Sequence, residues 1–148
     1  MIEFYWPTTQ GEWLAWSSAL VTILFGLMLL FAPRLSLRIL RLQTLPDHPE
    51  AVSEARATMA GFYLGVGLCA MLFAQPLIYL AIGAGWAFTA FGRIISMMSD
   101  RGVTFFNLAS VVIEILLAAA PLLYGLGWIW SDAVDSSALR AHQEAVSS

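Results

Sequence analysis

Residues 57–98 read ATMAGFYLGVGLCAMLFAQPLIYLAIGAGWAFTAFGRIISMM, with a single charge, Arg93, in the whole stretch. A membrane-spanning helix needs about 20 mostly apolar residues, because the hydrocarbon core is about 30 Å thick and a helix rises 1.5 Å per residue. The stretch holds two such helices. Pro76 divides it into Ala57 to Gln75 and Leu77 to Met98. A connection of so few residues makes the two helices antiparallel neighbours. The apolar character is continuous rather than alternating, which excludes a β-barrel.

Working outward, Trp13 to Ala32 is a further uncharged run closed by Pro33, and Thr104 to Trp130 is a fourth. The fourth is longer than a bilayer requires, so it tilts, kinks or protrudes. Pro121, which removes a backbone donor, is the expected kink. Asp100-Arg101-Gly102 turns the third run into the fourth. The sequence therefore predicts an all-α integral membrane protein, a single domain over residues 1–148. Its architecture is an up-down four-helix bundle with transmembrane helices near 13–32, 57–75, 77–98 and 104–130. A connection over 33–56 and a tail over 131–148 lie outside the bilayer.

The long connection carries Arg34, Arg38 and Arg41 at helical spacing, shadowed one position on by Leu35, Ile39 and Leu42. That pattern predicts a short amphipathic helix whose basic face lies along an anionic leaflet. The alternative is a plain extension of the first span into water. Asp47, followed three residues later by Glu50 with Pro49 between them, resembles a helix start.

Composition agrees. The chain has 148 residues, 59% of them hydrophobic and 11% charged, and a mean hydropathy of +0.77. So few charges cannot coat a water-facing surface, which excludes a soluble enzyme and a disordered tail. A net charge of −3 with no lysine excludes a free nucleic-acid binder. Cys69 is a lone thiol in an apolar run and reads as a packing residue. The only histidines, His48 and His142, lie in polar segments, so no bis-histidine haem fits within the bilayer. No metal-binding motif is present, and no cofactor is expected. The N-terminal residues lack the basic region of a signal peptide, so the first span reads as retained.

Four crossings put both termini on one side. The two loops on the other side hold Arg34, Arg38, Arg41, Arg56 and Arg101, whereas the terminal side holds only Arg140, with Glu3, Glu12, Asp132, Asp135 and Glu144. The positive-inside rule then places the loops in the cytoplasm and the termini outside. Trp6, Trp13, Trp16, Trp128, Trp130 and Tyr79 fall at the outer interface, the layer that aromatic residues with one wet end favour.

Two ionisable residues stand inside the spans. Arg93 and Glu114 would each cost roughly 2.5–3.5 kcal/mol at the bilayer centre if left alone. Helical rise puts both within reach of one another in the cytoplasmic half, so they are expected to pair. Thr89, Arg93, Ser96 and Asp100 share one face of the third helix. Asn107, Ser110 and Glu114 share one face of the fourth. Tyr63 and Arg56 on the second helix sit at comparable heights. Together they would line a polar hollow open to the cytoplasm, or serve as polar glue that fixes helix register. Gly61 and Gly65, with Gly67, Gly83, Gly85 and Gly92, are read first as close-packing positions inside the bundle, with a dimer face as the alternative.

The series Arg56, Ala60-Gly61-Phe62-Tyr63-Leu64-Gly65-Val66-Gly67-Leu68, Pro76, Phe91-Gly92-Arg93, Ser96, Asp100, Gly102 and Glu114 resembles a family of small four-helix bacterial membrane proteins, domain of unknown function 4345. More distantly it is similar to the DoxX-type four-helix proteins. The resemblance covers roughly Ala55 to Tyr124. Its motif positions fall on Arg56, Gly61, Gly92, Arg93, Asp100, Gly102 and Glu114. It implies the fold and a bacterial inner membrane, and it supplies no activity.

Three functions fit these features. The leading one is a non-catalytic accessory or assembly subunit of a larger inner-membrane complex, with membrane lipids, other subunits or a second copy as partners. The second is a binder of a lipid or quinone in the hollow around Arg93 and Glu114. The third, an enzyme using Glu114 for proton transfer, has no nucleophile–base set or cofactor fingerprint behind it. A transporter does not fit a single chain with no broken helices or evident inverted repeats; it would need oligomerisation.

Overall fold

The computed structural model describes residues 6–128 and Ala145. Trp130, Glu3 and the tail residues Asp132, Asp135, Arg140, His142 and Glu144 lie outside the described residues.

The described residues are helical, with no strand among them. Helix α1 spans Gln10–Phe31. It starts a turn before Trp13 because Thr9 caps it. The Thr9 hydroxyl accepts the Glu12 N–H at 3.2 Å, and the Glu12 carboxylate accepts the Thr8 N–H at 2.8 Å, a variant of the capping box. Ala32 breaks the helix at φ −128° and ψ 54°, and Pro33 opens α2, Pro33–Ile39. The Ser36 hydroxyl ties this bend together. It donates to the carbonyls of Met28 and Ala32 at 2.8 and 2.9 Å.

The expected amphipathic helix is shorter than its arginine spacing implied. Arg41 is not on it but adopts a left-handed conformation, φ 58°. The Arg41 N–H donates to Arg38 O at 3.1 Å and the Leu42 N–H to Leu37 O at 2.8 Å, which terminates α2 in a Schellman-like turn. The expected Asp47 cap is also absent. Asp47 is itself left-handed, φ 63°, and Pro49 precedes α3 with no side-chain cap bond.

Helix α3, Glu50–Glu54, runs through a π-helical turn at Ala55–Met59 into α4, Ala60–Phe73. Ala74, left-handed at φ 48°, ends it. Pro76 then stands in the first turn of α5, Pro76–Ser99. Thr104 caps α6, Phe105–Gly125, by accepting the Asn107 N–H at 3.2 Å.

Four helical runs are long and apolar enough to cross a membrane: Gln10–Phe31, Glu50–Phe73, Pro76–Ser99 and Phe105–Gly125. The chain is a multi-span membrane protein. Its described surface is dominated by exposed apolar side chains such as Phe62, Phe88, Phe91 and Leu116, the surface lipid requires.

The bundle is two tightly packed helix pairs, α1 with α4 and α5 with α6. Glycine permits both. A Cβ on Gly67 would come within 2.7 Å of the Ile23 side chain, and one on Gly83 within 2.6 Å of Leu122. Helix α1 also contacts α6 and closes the bundle, whereas α4 and α5 diverge from their tight turn.

The core holds Ala15, Ala19, Ala70, Tyr79, Ile82, Trp86, Ala118 and Tyr124. Polar bonds stitch it across helices. The Trp86 indole N–H donates to the Thr22 hydroxyl at 2.9 Å, and the Ser18 hydroxyl donates to Leu117 O at 2.7 Å.

Not all the glycines pack inside. Gly61, Gly65, Gly85 and Gly92 have nothing within 4 Å of where a Cβ would stand. The expectation that Gly61 and Gly65 serve close approach within the bundle is corrected. They face outward because α4 meets α1 through the other side, at Gly67 and Ala70.

Candidate functional site

The α5–α6 hairpin brings Arg93 and Glu114 together. The Arg93 Nε–H lies 3.0 and 3.1 Å from the two carboxylate oxygens, and Nη2–H donates to Oε1 at 2.6 Å. Nη1–H donates to Asn107 Oδ1 at 3.1 Å. The Glu114 side chain is 6% exposed and that of Arg93 25%. This is the forked geometry in which a guanidinium meets a carboxylate best.

The contacts continue to the turn. Asn107 Nδ2–H donates to Gly102 O at 2.7 Å. A Cβ at Gly102 would press on Ser96 O at 3.1 Å and on Asn107 Nδ2 at 3.3 Å. The turn comes this close only because residue 102 has no side chain. Arg101 precedes it in a left-handed conformation, φ 54°. Glu114, Arg93, Asn107 and Gly102 thus form one polar chain that locks the hairpin.

Tyr63 sits within electrostatic reach of both charges and packs on Trp86, ring centroids 5.6 Å apart. The other residues named from sequence are elsewhere. Ser96 offers its carbonyl to the Asp100 N–H at 2.9 Å. The Ser110 hydroxyl turns back to Phe106 O at 2.9 Å within its own helix. Asp100 is exposed at the end of α5, and Arg56 is exposed on the π-turn beside Phe31, Pro33 and Arg34. Neither joins the pair.

A groove of about 240 Å³ lies in the diverging seam between α4 and α5. Thr22, Tyr63, Val66, Ile82, Trp86 and Thr89 line it, and neither Arg93 nor Glu114 does. Thr22 and Trp86 had no part in the sequence-based site. The signal was present in α1, where Ser18 and Thr22 make a polar i, i+4 step inside an apolar span.

At the opposite end, Trp6, Trp13 and Trp16 cluster at centroid distances of 5.6 to 6.5 Å. Tyr79 meets Tyr124 edge-on at 5.3 Å, and Trp128 is exposed beyond α6. Arg34, Arg38, Arg41, Arg56 and Arg101 are all exposed at the other end. Among the described residues no group of histidine, cysteine or carboxylate side chains could hold a metal ion.

The family model described as a domain of unknown function, DUF4345, matches residues 11–127. No curated protein matches the chain, and no solved structure does. The chain belongs to the DUF4345 family. The match begins in the first turn of α1 and runs past the end of α6, so the polar chain and the groove both lie inside it.

Proposed function

We propose that this DUF4345 protein is a non-catalytic accessory or assembly subunit of a larger bacterial inner-membrane complex. The observation that carries the reading is the outward face of α4. Gly61, Gly65 and Cys69 on α4, with Ala57 on the π-turn before it, recur at every fourth residue, all exposed, and a Cβ on either glycine would have nothing within 4 Å. Small residues at such spacing let another helix backbone approach closely, which is how membrane helices associate. The carboxylate that could serve chemistry, Glu114, is held by three bonds from Arg93. The partner is a transmembrane helix of another subunit.

Gentle extraction of the native membrane tests this. Stoichiometric protein partners should co-purify with the wild type and be lost from Gly61→Leu/Gly65→Leu, whose melting temperature should stay close to that of the wild type. Retention of the partners by the variant would sink the reading. A second reading is a binder of a lipid or quinone, placed not around Arg93 and Glu114, as expected from the sequence, but in the groove lined by Tyr63 and Trp86. A lone protein carrying one defined lipophile would move the assignment there.

The reading includes an orientation, with the loops in the cytoplasm and the termini outside. It is supported by the separation of the exposed arginines from the tryptophan cluster. His48→Cys in a Cys69→Ala background should react with a membrane-impermeant maleimide only after the cells are permeabilised. Labelling in intact spheroplasts would reverse the topology.

A further inference from the structure

The end of α2 and the following loop enclose a hollow of about 860 Å³ that neither the accessory role nor the Arg93–Glu114 lock uses. Arg34, Arg38 and Arg41 border it, with Leu37, Leu42 and Val52. The left-handed turn at Arg41 matters here. It folds the chain back so that the three arginines line one space instead of following a helix stripe. Arg41 is further fixed by stacking on α6, its guanidinium carbon 4.7 Å from the Phe106 ring centroid, a cation–π contact.

None of these arginines is in an ion pair: among the described residues no carboxylate lies within ion-pair distance of any of them. The described pairs are His48–Glu50 at 3.7 Å and Arg93–Glu114. Asp47 is the single carboxylate on the rim, so positive charge dominates. Leu42 and Leu45 line the hollow and stand in the open, 49% and 71% exposed. Helix α2 follows α1 directly at the end of a membrane-length span, the position in the chain at which a headgroup would be met.

We propose that this hollow binds the phosphodiester headgroup of an anionic phospholipid. Arg34 and Arg38 supply forked donors to the phosphate oxygens, the arrangement guanidinium groups favour. The exposed leucines hold the start of the acyl chains. A free phosphate would use the arginines but not the leucines, so the lipid is the source the surface fits.

The test uses the full chain in mild detergent, titrated with phosphatidylglycerol or phosphatidylcholine and followed by native mass spectrometry. Phosphatidylglycerol should bind tighter than phosphatidylcholine. Arg34→Gln/Arg38→Gln should weaken phosphatidylglycerol on the order of tenfold, since each interfacial arginine contributes substantially to anionic-lipid attraction. Arg56→Gln/Arg101→Gln, which removes the same charge outside this hollow, should keep the wild-type affinity. Equal weakening in both double variants would reduce the effect to diffuse charge and overturn the site. Equal binding of the two lipids would do the same. Displacement by millimolar inorganic phosphate or glycerol phosphate would make the ligand a free anion, also against the proposal. Melting followed by circular dichroism reports the fold. If the double variant melts early, Arg38→Gln alone gives the same comparison.

Discussion

Arg93→Ala should destabilise the bundle by about 3–5 kcal/mol, the usual cost of removing one partner from a buried ion pair. Glu114 would remain 5% exposed, charged and without its two donors, Nε–H and Nη2–H. Asn107 would lose the bond from Nη1 as well, which loosens the α5–α6 turn. Glu114→Gln should cost less. The amide oxygen still accepts from Arg93, and the guanidinium, a quarter exposed, can extend toward the nearby membrane boundary. The decisive variant is Arg93→Met/Glu114→Met. With no charge left to desolvate, it should recover most of the loss, because apolar replacement of a whole buried pair is often neutral or better. Unfolding in mixed micelles measures all three. An Arg93→Ala variant within about 0.5 kcal/mol of the wild type would mean that the pair contributes nothing to the fold.

The same pair shows what the sequence can and cannot convey. Arg93 and Glu114 stand out because charge is rare in a span, and helical rise alone brings them to one level. Their bond to Asn107, and the bond from Asn107 to Gly102, depend on how sharply the 100–104 turn closes, which no periodicity encodes. The four spans are legible because hydropathy and length suffice to define them. Their ends shift where local bonds decide, as at Thr9, where a hydroxyl starts α1 a turn early. The arginine spacing at 34, 38 and 41 reads as one helix, but a left-handed residue interrupts it. Pattern matching assigns no cost to a backbone that turns back on itself.

The glycines are the clearest limit. Gly65 and Gly67 are two positions apart, yet one faces open space and the other presses on Ile23. In a helix apolar on every side, composition does not say which face a neighbour will cover. In a soluble protein a polar stripe would have broken the tie. Here the tie is broken by contacts between α1 and α4 that only the assembled bundle reveals.

Ser18→Ala should cost about 1–2 kcal/mol, the upper part of the range for interhelical hydrogen bonds in membranes. The reason lies on another helix. Pro121 stands inside α6 and has no N–H, so the carbonyl four residues earlier, that of Leu117, has lost its helical donor. In lipid no water replaces it, and a neighbouring serine is one of the few groups that can. The Ser18 hydroxyl does so from α1, at 2.7 Å, with Ser18 3% exposed. The bond is therefore conditional on the proline. Pro121→Ala restores the backbone donor and makes the serine dispensable, so Ser18→Ala in a Pro121→Ala background should cost close to nothing. The double-mutant cycle should return a coupling of about 1 kcal/mol or more. Equal losses from Ser18→Ala in both backgrounds would show that Ser18 acts by packing alone. A conditional loss would make Pro121 the element that joins α6 to α1, because a proline that frees a carbonyl also creates the acceptor through which a second helix is held.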